Sequence, residues 1–425
     1  MRLIYTILII LYGLAVRIAA IFNVKARQWV DGRRGLFRKL EQAFGEHDRQ
    51  KNPVMWFHAS SLGEFEQGRP IIEDFRKKYP GYKILLTFFS PSGYEVRRNY
   101  DQADWIFYLP LDTPSNARRF IAIVRPAAAI FIKYDFWYNL LGNLYQQHIP
   151  VYFASAVFRP GQYFFKWYGR WGARQLGRVR HFLVQTEASA ALLRSLGLRN
   201  VTVTGDTRFD RVFAIASQKH AFPLIEQFIQ GKRVFIGGST WQDDEALLFP
   251  LVSRRDQDLK FIIAPHDTSS GRIQQITEQI KQAVLRYSAL NESNAQDADV
   301  LIIDSVGILA QLYQYATLAF IGGGFGAGLH NIQEPITYGV PVFFGPRYHK
   351  FREAVELVQL GGVFSVTTTE ELISATGRML ADPVAYQHAS DLCRDYVEKN
   401  RGATAKIMQY LDKELPLHAA PGQGI

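Results

Sequence analysis

The chain has 425 residues, too many for one ordinary hydrophobic core, so two domains are the expectation. With 48% apolar and 14% aromatic residues it is not a disordered chain, and its one cysteine, Cys393, excludes an internal disulfide and a cysteine-built zinc site and fits a reducing compartment. The net charge of +10 is concentrated: residues 1–51 hold ten Lys and Arg against four acids, which invites nucleic acid or an anionic membrane surface.

The neighbouring segment decides between the two. Leu3–Phe22, LIYTILIILYGLAVRIAAIF, is apolar except for Arg17, has no small-residue cleavage site, and runs straight into basic sequence. It reads as a membrane anchor over 1–24 that spans the membrane or lies in it, with a helix buried against a partner as the bland reading. Residues 25–51 then form a basic membrane-proximal segment against acidic headgroups on the cytoplasmic side, and no nucleic-acid partner is expected.

Short, nearly continuous apolar runs follow: 54–58, 83–89, 105–109, 128–132, 151–154, 181–185 and 201–204. Helical patterns such as 66–79 and 187–196 lie between them, which predicts an α/β domain with a parallel sheet covered on both faces. Residues 205–231 carry no strand signal, and a second series starts at 233–237 and continues at 260–264, 299–303, 318–322, 341–344 and 362–366. The expected organisation is a first domain over 52–208, a linker over 209–230, a second domain over 231–412 and a polar tail over 413–425. Ligands of such sheets bind beyond the carboxyl ends of the strands, so loops after strands hold the candidates.

His58–Pro70, HASSLGEFEQGRP, places Ser61 and Glu64 three apart at a helix start. This is a capping-box spacing, and it leaves open whether Glu64 is a cap or a base. Thr204–Asp210, TGDTRFD, sets Arg208 at the change of domain, where it meets a phosphate or pairs with Asp206 or Asp210. Ser239 and Thr240 of GGSTWQDDE are candidate phosphate donors, and His266 of APHDTSSGR follows a strand. Ile321–Pro335, IGGGFGAGLHNIQEP, runs from a strand through Gly323 and Gly324 to His330, Asn331 and Glu334. Glycines permit close approach to a phosphate or sugar, a helix start favours an anion, and a carboxylate suits ribose hydroxyls. No Gly-x-Ser-x-Gly elbow is present, and no His or Asp spacing supports a metal site.

In order and spacing, GRRG, HASSLGE, SPSGYE, LPLDTP, FWYN, GDTRFD, GGGFGAGLHNIQEP and FGPRYHKF resemble the Kdo transferases of lipopolysaccharide assembly, Kdo being 3-deoxy-D-manno-octulosonic acid. The resemblance covers nearly the whole chain. It implies a GT-B fold of two Rossmann-like domains after an N-terminal anchor, and transfer of Kdo from CMP-Kdo to a lipid A precursor, lipid IVA, with inversion, without metal or other cofactor, on the cytoplasmic face of the inner membrane. It implies that Glu64 is the general base and that Arg208 stabilises transition-state charge. CMP contacts are implied at Pro265, His266, Gly307, Ile308, Leu309, Asn331, Ile332, Gln333 and Glu334. The family's Glu-Thr-Glu-x-Trp-Pro-Asn is here Lys133-Tyr134-Asp135-Phe136-Trp137-Tyr138-Asn139, so Lys133 replaces a carboxylate and Asp135 keeps the second acid. The family's Pro-Arg-His is here Pro265-His266-Asp267, which removes or shifts a donor-site arginine.

Three rivals stand beside this reading: a GT-B enzyme using another nucleotide sugar, an NAD-dependent oxidoreductase, and a non-catalytic membrane adaptor. The oxidoreductase is disfavoured because no acid about 20 residues beyond the glycine-rich loop ends the next strand. The sequence assigns no oligomeric state.

Overall fold

The computed structural model describes residues 1–218, 220–254, 258–326 and 328–415. It divides into two units: residues 1–210 together with the chain from Gly402 onward, and Arg211–Arg401.

The first unit is built on β1 (Val54–Ala59), β2 (Lys83–Phe88), β3 (Trp105–Tyr108), β4 (Ala128–Ile132), β5 (Val151–Ala156), β6 (His181–Val184) and β7 (Val201–Val203). These pair in parallel in the order β3-β2-β1-β4-β5-β6-β7. Every residue of β1 and β4 is buried, which is why both read as unbroken apolar runs. Successive side chains go to opposite faces: Trp56 and Phe131 enter one core layer, Met55, Phe57 and Ile130 the other. The order reverses between β1 and β4, so the loops after these two strands open at the switch point where ligands of such sheets bind.

The second unit repeats the plan with β8 (Arg233–Thr240), β9 (Leu259–Pro265), β10 (Val284–Arg286), β11 (Val300–Ile302), β12 (Leu318–Ile321), β13 (Val342–Phe344) and β14 (Val363–Ser365). Its parallel sheet runs β10-β11-β9-β8-β12-β13-β14, with the reversal between β8 and β12. Among the described residues, 205–231 hold no strand and instead form the helices Thr207–Ser217 and Pro223–Ile229.

Three expectations need correction. The edge strand β10 is absent from the sequence reading, because three half-buried residues leave no apolar run. The helix Ala403–Glu414, expected in the second domain and the tail, packs on the first unit: Ile407, Met408 and Leu411 join the core layer of Met55 and Phe57, and Asp210 accepts from Thr404 N at 2.6 Å. The basic segment does not face outward as a whole. Arg33 donates to the carbonyls of Leu109, Trp29 and Phe89 at 2.9, 3.0 and 2.7 Å, and Arg49 to those of Val124, Phe44 and Ile123 at 3.1, 3.0 and 2.7 Å. Lys25, Arg27, Arg34, Arg38, Lys39 and Lys51 remain exposed.

The N-terminal helix Arg2–Ala19 is long and apolar enough to cross a membrane. Residues 5, 6, 9, 13 and 16, one stripe at helical spacing, are its less exposed positions. Asn139 Nδ2 reaches Thr6 Oγ1 at 3.3 Å, and a Cβ added to Gly13 would meet Leu111. The other face exposes Leu3, Ile4, Ile7, Leu8, Ile10, Leu11, Leu14 and Ile18.

Candidate functional site

In the first unit, chemistry gathers at the carboxyl ends of β1 and β4. β1 delivers Ser60 and Ser61, and the helix Leu62–Lys78 begins at once with Glu64 in its first turn. Ser61 N–H donates to Glu64 Oε2 at 3.1 Å, so the carboxylate does cap its own helix. Glu64 is only 8% exposed. Burial raises its carboxyl above the ordinary value, against the pull of the Lys133 ammonium and of the Ser61 and Ser60 amides.

β4 delivers Lys133 and Asp135. Lys133 sits at φ +73°, a left-handed conformation that costs a β-carbon residue strain and marks a constrained turn. Its ammonium is lowered by burial, held up by Glu64 and pushed further down by Arg208. Asp135 is raised well above the ordinary carboxyl value, first by burial and next by Glu64. Beneath these lies a fixed network. His58 Nδ1 meets the Thr87 carbonyl at 3.1 Å, which only accepts, so Nδ1 carries the hydrogen; Trp137 Nε1–H then donates to the bare His58 Nε2 at 3.1 Å. Burial holds this imidazole neutral, its pKa pushed down to about 3. The 3.8 Å from His58 Nε2 to Asp135 Oδ2 is therefore not an ion pair.

Arg208 lies on the helix Thr207–Ser217 and is held by Asp206, Nε donating to Oδ2 at 2.9 Å and Nη2 at 2.6 Å. The ion pair with Asp206 allowed by the sequence is present, and the alternative partner Asp210 instead caps the last helix. Arg208 and Asp206 both act electrostatically on Lys133, so Glu64, Lys133, Asp135 and Arg208 form one charged cluster.

In the second unit, the ends of β8, β9 and β12 meet. Pro265 ends β9 in register with Thr240, and His266 N–H donates to Thr240 O at 2.9 Å. The rings of Trp241, His266 and His330 stack, with centroids 4.4 Å and 4.7 Å apart along the series. Trp241 Nε1–H donates to His330 Nε2 at 2.9 Å. Asp244 Oδ2 accepts from Gly323 N at 2.8 Å and Trp241 N at 2.9 Å, tying the glycine-rich loop to the turn after β8. Gly323 is at φ +88°, and a Cβ on Gly324 would lie 2.5 Å from Gly345 N, so neither position accepts a side chain.

Several candidates are placed differently from expectation. Thr240 is buried and its hydroxyl donates to Glu245 Oε1 at 3.0 Å, so that hydrogen is committed within the core; Ser239 keeps partial exposure at φ +52°. Ile332 and Gln333 are buried, so only their main chain can face a ligand. The helix start expected at His330, Asn331 and Glu334 is the five-residue helix Gln333–Thr337, too short for its dipole to hold an anion, and His330 and Asn331 lie outside it. Asn331 Oδ1 accepts from Gln333 N at 3.0 Å and its Nδ2 donates to Glu334 Oε1 at 3.2 Å. Gly307 at φ +104° and Ile308 lead into the short helix Leu309–Leu312. Tyr313 beyond it feels the charge of Glu334, which puts these two segments near each other. Sequence reasoning passes over Trp241, Asp244 and His58; an acid three positions after Trp241 is the available signal. Among the described residues no group of three His, Cys, Asp or Glu could hold a metal ion.

Residues 33–211 match the family model described as 3-deoxy-D-manno-octulosonic-acid transferase (kdotransferase). A 3-deoxy-D-manno-octulosonic acid transferase of Haemophilus influenzae is 24% identical over 390 residues, covering 88% of this chain and 91% of its own length. That of Aquifex aeolicus is 26% identical over 333 residues, covering 77% and 86%. The family model and these relatives show that the chain is similar to the Kdo transferases. It is an enzyme, a glycosyltransferase. Among solved structures, the UDP-GlcNAc 2-epimerase from Neisseria meningitidis matches with TM-score 0.60 at 16% identity, covering 85% of this chain and 100% of that one. MurG from Acinetobacter baumannii matches with TM-score 0.55 at 13% identity, covering 85% and 99%. These show the GT-B fold. Lys133 occupies the turn after β4, at the position where the resemblance implies a glutamate.

Proposed function

We propose that the protein transfers Kdo from CMP-Kdo to a lipid A precursor, lipid IVA, in lipopolysaccharide core assembly, by one inverting displacement with Glu64 as base and no metal. The observation that carries this reading is the placement of Glu64: a nearly buried carboxylate at the switch point of the first sheet, raised toward neutral pH and still bonded to Ser61 N–H. Similarity to the Kdo transferases supports the donor.

A sugar hydroxyl is a weak nucleophile at neutral pH. Glu64 takes its proton as the oxygen bonds to the anomeric carbon; the bond from that carbon to the CMP oxygen breaks, and its electron pair leaves on the phosphate. Arg208 offsets the charge that develops on the leaving group. In the second unit, the Trp241–His266–His330 stack and the main chain at Gly323 and Gly324 are the groups suited to a base and a phosphate.

The Arg2–Ala19 helix supports action at a membrane surface, inner and cytoplasmic in this reading. One stripe of the helix is docked on the first unit while the opposite face exposes eight large apolar side chains, which favours a helix lying in the interface over one that spans alone. The exposed Lys25, Arg27, Arg34, Arg38 and Lys39 follow it, placed to meet anionic headgroups.

Incubation of purified protein with CMP-Kdo and a tetra-acylated lipid A precursor, followed by mass spectrometry, tests the reading. Whole-Kdo mass increments, suppressed by CMP but not by UDP or GDP, are the expected result. An unchanged acceptor mass, or inhibition by UDP instead of CMP, overturns it.

A further inference from the structure

The cluster at the ends of β1 and β4 contains two acids facing one lysine, and the surroundings of Asp135 are unusual. Its Oδ2 is buried with no hydrogen-bond partner. From β1, His58 Nε2 stands 3.8 Å away, and its lone pair already receives the Trp137 N–H. Two acceptors thus face each other, an arrangement that penalises an ionised carboxylate. On its other side Asp135 lies within hydrogen-bond reach of the Glu64 carboxyl, which two ionised groups could not sustain.

We propose that Glu64 and Asp135 share one proton at neutral pH, that Asp135 holds it and donates it to Glu64, and that Asp135 is thereby the positioning residue for the base.

The charges around the pair agree. Glu64 faces Lys133, Asp135, the Tyr134 phenol and the amides of Ser60 and Ser61. Asp135 faces Glu64, Lys133, the Ser60 amide and the neutral His58, itself acted on by Arg33. Lys133 faces Glu64, Asp206, Arg208 and Arg159. Arg208 is offset by Asp206, so Lys133 is the cation that balances the pair, and it balances one negative charge. Burial raises both acids, Asp135 more strongly, while the lysine and the Ser61 amide keep Glu64 the more acidic member. Glu64 is then ionised, and a hydrogen bond from the Asp135 acid fixes its rotamer. When Glu64 accepts the acceptor's proton the pair holds two, and one leaves to solvent.

The catalytic consequence rests on the function proposed above; the shared proton does not. Infrared difference spectra of the unliganded protein at pH 7.5 test it first. Wild type minus Asp135→Asn is expected to show loss of a protonated-carboxyl band, and Glu64→Gln to lose that band at lower pH than wild type. A difference spectrum containing only carboxylate bands overturns the proposal. Where Kdo transfer is measured, the pair's two ionisations set the rising and falling limbs of kcat/KM against pH. Asp135→Asn, which keeps an N–H donor for Glu64, is expected to retain turnover within about tenfold and to move the falling limb to higher pH. Reduced turnover with that limb unmoved means a merely structural residue and overturns the proposal. If no transfer occurs but the acid band behaves as stated, the functional reading fails and the shared proton stands.

Discussion

Tyr5 donates its hydroxyl hydrogen to Asp112 Oδ2 at 2.6 Å, joining the N-terminal helix to a loop 107 positions away. The same carboxylate accepts the amides of Asn139 and Leu140 at 2.9 Å each, at the start of the helix Tyr138–Gln146. LPLDTP and FWYN, two motifs of the family resemblance, are therefore one capping device, and the N-terminal helix is its third member. Tyr5→Phe removes one bond to a buried charged group and is expected to cost about 1–2 kcal/mol, felt locally. Hydrogen exchange should show faster exchange over residues 2–13 while the amides of β1 and β4 stay protected. Equal loss in both regions would contradict a locally docked helix.

Glu64→Gln tests base against cap. The glutamine oxygen can still accept the Ser61 N–H that Glu64 Oε2 accepts at 3.1 Å, so the helix start and the fold should survive. Proton removal should not, and turnover of CMP-Kdo is expected to fall about 10²- to 10⁴-fold. Initial rates together with a thermal melt decide the matter. A folded variant with near-normal turnover leaves Glu64 as a cap only.

Much of the fold is legible in the residues alone. Nearly continuous apolar runs locate thirteen of the fourteen strands among the described residues, because a strand covered on both faces has few polar positions. The exception, β10, is three half-buried residues at a sheet edge. The last helix is harder to assign because Ile407, Met408 and Leu411 announce an apolar stripe but not which sheet it covers. At the site, Glu64 and Asp135 stand out by motif. The network under them does not, since the His58–Trp137 bond spans 79 positions and single residues carry no pairing signal. Thr240 and Ile332 mislead for a related reason: a residue beside a glycine-rich loop looks available until packing shows it buried.

The neutral His58 predicts a pH dependence. Its folded pKa, about 3, lies below the unfolded value near 6.5, so between these values the unfolded chain binds a proton that the folded chain refuses. Its stabilising contribution is complete above about pH 6.5 and is lost as pH falls toward 3. Glu64 and Asp135, raised by burial, act in the opposite sense, so the informative quantity is a difference. Wild type should lose about 1.4 kcal/mol per pH unit more than His58→Asn between pH 6 and 4.5. Denaturant titrations over that range measure it, and parallel slopes would mean that His58 is charged in the folded protein.

The stack in the second unit gives the last prediction. Trp241 touches His266 through its ring face and His330 through its Nε1–H, so one side chain sets the position of both imidazoles. The bond from Trp241 also fixes His330 Nε2 as an acceptor, and burial together with His266 lowers the His330 pKa, keeping it neutral near pH 7. Trp241→Ala removes the stacking face and the donor together, and CMP affinity is expected to fall about tenfold. Trp241→Phe keeps a ring but not the N–H, and is expected to recover most of the affinity if the face does the binding, and little of it if the orientation of His330 does. Calorimetric titration with CMP separates these outcomes. Unchanged affinity in both variants would place the nucleotide away from the stack and remove these three rings from the donor site.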